Sequence, residues 1–153
     1  MLHLNDKAPD FVLEDEKGAS FSLKDHSGES LLLVFYPGDN TPVCTRQLCD
    51  YRDGIEAFNG LGVRVVGISR DDAGSHRAFK EKHDLPFTLL SDPDMTVAQA
   101  YDAKGIMGMK RAIYLLDGRG VIRYRHIETL PIFRRARGEI IAAIEDLQSP
   151  QDD

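Results

Sequence analysis

The 153 residues include no tryptophan and only two cysteines, Cys44 and Cys49, and no apolar run exceeds the six residues Leu31 to Tyr36. Two cysteines are too few for the disulfide framework of a small secreted domain, so in a reducing compartment the pair is expected to act rather than to staple. Six apolar residues fall far short of the roughly 20 that cross a membrane. Positive charge is not in excess either. Lysine and arginine total 19 against 25 aspartate and glutamate, a net of −6. That balance speaks against a general nucleic-acid or membrane-surface binder. His3, His26, His76, His83 and His126 fall at no metal-ligand spacing, so neither a metal nor a cofactor is expected. The start, Met1 to Lys7, is charged where a signal peptide would be apolar, and the expected location is the cytoplasm.

What is present reads as one domain over residues 1–153, with 42% apolar and 29% charged residues. Phe11-Val12-Leu13 and Phe21-Ser22-Leu23 flank a polar turn ending in Gly18 and predict an N-terminal hairpin. Leu31 to Tyr36 is a continuous apolar run, the pattern of a strand covered on both faces, and Val63 to Ser69 reads as a second apolar strand. Between them Thr41 predicts a helix N-cap and Pro42 a first helical residue. Leu48, Tyr51, Ile55 and Phe58 continue at helical spacing until Gly60 and Gly62. Asp71-Asp72 would cap a helix through His83, followed by a strand at Phe87 to Leu90 and a short helix around Met95 to Tyr101. Gly105 to Met109 reads as a mobile apolar loop. Ala112 to Leu116 and Val121 to Tyr124 predict a hairpin, and a helix from about Ile132 to Leu147 closes the chain. Arg134, Arg135 and Arg137 would form a basic, solvated face on it, without the interleaved aromatics of a nucleic-acid site.

This order predicts an α/β fold with a mixed central sheet and helices on both faces. Right-handed crossovers leave few topologies, and a thioredoxin-like arrangement with an N-terminal β-hairpin extension fits them. The junction from Pro37 to Cys44, where a strand hands over to a helix, is where open α/β sheets place their chemistry.

Cys44 falls on the first turn of the helix after Pro42. Unpaired backbone N–H groups and the positive end of the helix dipole favour an anion there, here a thiolate. A lone cysteine at such a position is as readily a small buried apolar side chain. The Pro-Gly loop, the cap and the second cysteine favour chemistry. Cys49 lies five residues on, which in one helix sets the two Cα atoms about 8.6 Å apart, too far for a disulfide without backbone movement. Either the two are unrelated, or the helix unwinds to join them after Cys44 is oxidised to a sulfenic acid.

Pro37-Gly38-Asp39-Asn40-Thr41-Pro42-Val43-Cys44 resembles the peroxiredoxin motif Pro-x-x-x-Thr-x-x-Cys. The four-residue gap to Cys49 resembles the bacterioferritin comigratory protein, or peroxiredoxin Q, subfamily. Phe35-Tyr36-Pro37, Gly67-Ile68-Ser69, Leu85-Pro86-Phe87 and Leu89-Leu90-Ser91-Asp92 are similar too, and the likeness runs from about Asp6 to Leu147. It implies a thiol-dependent peroxidase acting on hydrogen peroxide and organic hydroperoxides. Cys44 would be the peroxidatic cysteine and Cys49 the resolving one. Thr41 would hydrogen-bond the thiolate and the peroxide, Pro37 would shield the pocket, and Arg111 would match the family's active-site arginine. Thioredoxin or a glutaredoxin-like dithiol protein would be the reductant. Gln47 departs from the glutamate frequent in the family, and Ala112-Ile113 from its usual residues after the arginine. An intramolecular disulfide makes a second subunit unnecessary, so a monomer is expected. Two other classes compete: a dithiol–disulfide oxidoreductase, although this chain lacks Cys-x-x-Cys, and a binding module with an incidental cysteine pair.

Overall fold

The computed structural model describes residues 1–106, 108–128 and 135–148. Strands β1 (Val12–Asp15) and β2 (Ser20–Ser22) form the N-terminal hairpin, and one turn of 3-10 helix (Leu23–His26) leads to β3 (Ser30–Phe35). Helices α1 (Pro42–Asp53) and α2 (Ile55–Gly60) precede β4 (Val63–Ser69), and α3 (Ala73–His83) precedes β5 (Thr88–Ser91). Then come α4 (Thr96–Ala100), the short strands β6 (Lys104–Gly105) and β7 (Gly108–Met109), the strands β8 (Ala112–Leu116) and β9 (Ile122–Ile127), and α5 (Arg137–Gln148).

Seven strands form one sheet in the order β2-β1-β5-β4-β3-β8-β9. β3, β4 and β5 run parallel, whereas β8 is antiparallel to β3 with Phe35 opposite Ala112. The expected mixed sheet is therefore present. Period-2 alternation sorts its side chains into two cores. Leu31, Leu33, Phe35, Tyr114 and Leu116 join Phe11, Ala98 and Tyr101 on one face. Leu32, Val34, Tyr36, Ile113 and Leu115 join Cys44, Leu48, Tyr51, Phe58, Phe79 and Ile140 on the other. The second face is thus covered by α1, α2, α3 and α5, and a fully buried side chain such as Leu48 contributes about 1.5–3 kcal/mol.

Four expectations are corrected. The helix foreseen from Thr41 to Gly60 is two helices, broken at Gly54. A Cβ at Gly54 would lie 2.8 Å from Arg137 Cδ, so the close approach of the α5 N-terminus requires glycine there. The apolar Gly105–Met109 loop is instead flanked by the paired strands β6 and β7, while Met107 lies outside the described residues. In the last helix, Arg135 and Ala136 are not helical and α5 starts at Arg137, while Ile132 and Arg134 lie outside the described residues. Arg135 and Arg137 form no free basic face, because Arg135 pairs with Glu139 and Arg137 with Asp50.

Candidate active site

The site begins where β3 stops. Tyr36 still donates its N–H to the Ile68 carbonyl at 3.0 Å, and the half-buried Pro37 then ends the strand. Asn40 turns the chain with φ +63°, and Thr41 is an extended N-cap ahead of Pro42 at the first helical position. Pro42 has no N–H to offer, and the Thr45 N–H goes to the Thr41 carbonyl at 2.8 Å. The amides of Val43 and Cys44 are left at the helix start without an intrahelical partner. Cys44, fully buried, carries its sulfur on that turn, facing the sheet.

Arg111 arrives from the other side. It stands one residue before β8, and the register that pairs Phe35 with Ala112 brings it beside the C-terminal end of β3. Strand alternation aims residues 111, 113 and 115 at the face that α1 covers. Arg111 is 3% exposed. Its Nη1 donates to Cys44 Sγ at 3.0 Å and to Gln47 Oε1 at 3.0 Å, one hydrogen to each. Gln47 Nε2 donates in turn to the Tyr51 hydroxyl at 3.2 Å, and that hydroxyl donates to the Arg135 carbonyl at 2.6 Å. The sulfur is thus clamped by a permanent cation that is itself held by a buried relay. Because Gln47 is a neutral amide, it holds the guanidinium without setting a second anion beside the sulfur.

Gln47 and Tyr51 escaped sequence reading as site residues. Their spacing from Cys44, three and seven positions, was the available signal, since it places all three on one helical face. Thr41 differs from expectation in detail. It occupies the N-cap position, yet its hydroxyl makes no capping bond and donates instead to the Gly38 carbonyl at 3.0 Å. With its hydrogen so committed, the oxygen is left as an acceptor, which suits an incoming O–H and not donation to sulfur. The two cysteines are not brought together. Both are free thiols of the reduced protein, Cys44 buried and Cys49 half-buried on the same helix. Burial pushes the Cys49 thiol up, Arg52 opposes this and Asp53 adds to it, so Cys49 stays protonated around neutral pH.

A buried thiol at a helix start, contacted by an arginine, is set here on a mixed α/β sheet of the thioredoxin-fold class. Residues 4–125 match the AhpC/TSA family, and the chain belongs to that family. Peroxiredoxin Bcp of Bacillus subtilis is 39% identical over 127 residues, covering 78% of this chain and 81% of its own. The chloroplastic peroxiredoxin Q of Oryza sativa subsp. japonica is 44% identical over 120 residues, covering 76% of this chain and 55% of its own. The chain therefore spans about half the length of the plant relatives it matches. Among solved structures, the Xanthomonas campestris bacterioferritin comigratory protein, studied for alkyl peroxide reduction, superposes with a TM-score of 0.81 at 26% identity, over 90% of this chain and 91% of its own. The resemblance carried by the cysteine motif and the thioredoxin-like topology are both borne out by these likenesses.

Proposed function

We propose that this chain is a thiol-dependent peroxidase that reduces hydrogen peroxide and organic hydroperoxides. The observation that carries the reading is the 3.0 Å contact from Arg111 Nη1 to Cys44 Sγ at a helix start with free amides. In the first step the Cys44 thiolate attacks one peroxide oxygen, the O–O bond breaks, and the leaving alkoxide or hydroxide takes a proton to become alcohol or water. Arg111 places its positive charge against the sulfur and neutralises charge on the departing oxygen. The Val43 and Cys44 amides are oriented donors that need no reorganisation as that charge develops. Thr41 accepts from the peroxide O–H, and Pro37 shields one side of the pocket. In the second step the Cys49 sulfur, having lost its proton, displaces water from the Cys44 sulfenic acid to form a disulfide. A dithiol protein, thioredoxin or glutaredoxin-like, then returns both cysteines to thiols by exchange. One helix carrying both cysteines supports a monomer, and a cytoplasmic setting would supply such a reductant.

The test is stoichiometric. Reduced protein should consume one equivalent of hydrogen peroxide and lose both free thiols, with thioredoxin restoring turnover. Peroxide left unconsumed while the protein reduces insulin disulfides would overturn the reading in favour of a dithiol oxidoreductase.

The disulfide step requires motion. Cα atoms about 8.6 Å apart along an intact helix must approach within about 7 Å. Unwinding α1 would also strain the bonds that Asp50 and Tyr51 make to the α5 entrance, where Arg137 N–H donates to Asp50 Oδ2 at 2.8 Å. Amide exchange is therefore expected to quicken across residues 43–53 and at Arg137 in the oxidised protein. Equal protection in both redox states, with the Cys44–Cys49 bond verified by mass, would refute this coupling.

A further inference from the structure

Beneath the loop that launches the thiol helix lies a buried ionisable pair that the peroxide chemistry above does not use. His76 on α3 has no solvent exposure, and Asp39 sits in the middle of the loop from Pro37 to Thr41. His76 Nε2 lies 3.0 Å from the Leu90 carbonyl oxygen, and Nδ1 lies 2.8 Å from Asp39 Oδ2. A backbone carbonyl can only accept, so Nε2 carries a hydrogen. On the other side, the Tyr36 hydroxyl donates to Asp39 Oδ1 at 2.6 Å and the Ser75 hydroxyl to Oδ2 at 2.9 Å. Burial first, and then the charge of Asp39, hold the Tyr36 hydroxyl well above the ordinary phenol range, so it stays a donor. The other ring nitrogen, Nδ1, and Asp39 Oδ2 share one hydrogen bond that is closed off from solvent.

The groups facing this pair come from every neighbouring segment. They are Tyr36 at the end of β3, Ser75 on α3 itself, the Leu90 carbonyl of β5, and Asp71 from the loop before α3. Asp71 Oδ2 accepts the Asp39 backbone N–H at 2.8 Å and the Ser69 hydroxyl at 2.6 Å. Lys80, one turn beyond His76, is already paired with Glu16. Asp39 is thus the anchor by which α3 holds the loop, and its neighbour Gly38 offers the carbonyl that orients Thr41. A buried carboxyl oxygen deprived of its ring partner would be left unsatisfied or swing toward water. Either would shift the loop, and a displacement near 1 Å at a reacting centre can cost about 100-fold in rate.

We infer that His76 is a positioning residue of this site. Buried under the loop, its ring holds Asp39 through the Nδ1–Oδ2 hydrogen bond, and through Asp39 it fixes the loop that orients the Thr41 oxygen toward the peroxide. The inference rests on the peroxidase reading above. Its test separates peroxide capture from thiol reactivity. In single-turnover reactions of reduced protein, His76→Gln should lower the rate constant for Cys44 oxidation by hydrogen peroxide about tenfold or more. Alkylation of Cys44 by iodoacetamide, which needs no peroxide cradle, should change less than threefold. The double variant His76→Gln with Asp39→Asn, which can pair two amides where ring and carboxyl met, should recover part of the loss. A peroxide rate within twofold of the parent, a parallel fall in both reactions, or no recovery in the double variant would overturn the assignment. Failure of the parent itself to consume peroxide would instead overturn the peroxidase reading. Nitrogen-15 NMR of histidine-labelled parent protein at pH 7.5 gives a check that does not depend on the variants folding. A hydrogen on His76 Nε2 in slow exchange with solvent is expected, and an Nε2 without hydrogen would overturn the inference.

Discussion

Cys44→Ser is expected to abolish peroxide consumption, whereas Cys49→Ser is expected to react once and stop as a sulfenic acid. The two thiols share one helix but not one environment. Cys44 sits on the first turn against Arg111, and a serine hydroxyl there remains un-ionised at neutral pH and offers no nucleophile. Cys49 lies about a turn and a half further on, held protonated by burial, with Arg52 opposing and Asp53 assisting. Removing it leaves the first step intact and deletes only the thiol that closes the disulfide. Single-turnover peroxide loss, followed by trapping of the sulfenic acid with dimedone and mass analysis, reads both halves. Normal peroxide reaction in Cys44→Ser would exchange the two roles.

Arg111→Ala is expected to slow Cys44 oxidation about 100- to 1,000-fold, the usual cost of deleting one oriented donor at a reacting centre. The guanidinium is buried and touches both the sulfur and Gln47, so its loss also leaves the Gln47 carbonyl without this partner. Arg111→Lys should fall between parent and alanine. An ammonium keeps the charge but gives up the rigid fork that serves Sγ and Oε1 from one nitrogen. Alkylation of Cys44 by iodoacetamide at neutral pH should also slow in Arg111→Ala, because the sulfur loses its cationic partner. Thermal unfolding of the same variants separates a loss of chemistry from a loss of fold. An unchanged peroxide rate in Arg111→Ala would leave the arginine with a packing role alone.

Local pattern was enough for much of this chain. The segment Val63 to Ser69 is β4, residue for residue, because a strand buried along most of its length is mostly apolar, with the exposed Arg64 near its start. Asp72 caps α3 as its position implied, its Oδ1 accepting the Ser75 N–H at 2.8 Å. Pro42 begins α1, so Cys44 could be placed on a first turn from the sequence alone. The break at Gly54 was not legible in the same way. Gly54 there faces the side chain of Arg137, which belongs to a helix more than 80 residues later.

The sequence by itself determined which chemistry was available: one thiol at a helix start, a second five residues on, and a motif that linked Arg111 to them. Only the tertiary structure decided what each group meets. Arg111 and Cys44 are 67 residues apart, and their contact exists because β8 runs antiparallel to β3 and begins beside the loop that starts α1. Gln47, a departure from the family pattern in the sequence, became the acceptor that holds the arginine. Thr41 kept its position but spent its hydroxyl hydrogen on Gly38. His76, one of five scattered histidines, became a buried partner of Asp39 because α3 packs under the loop. Helix starts and strand patterns follow from neighbours in sequence. Hydrogen bonds across the sheet follow from register and crossover, which local propensity does not encode.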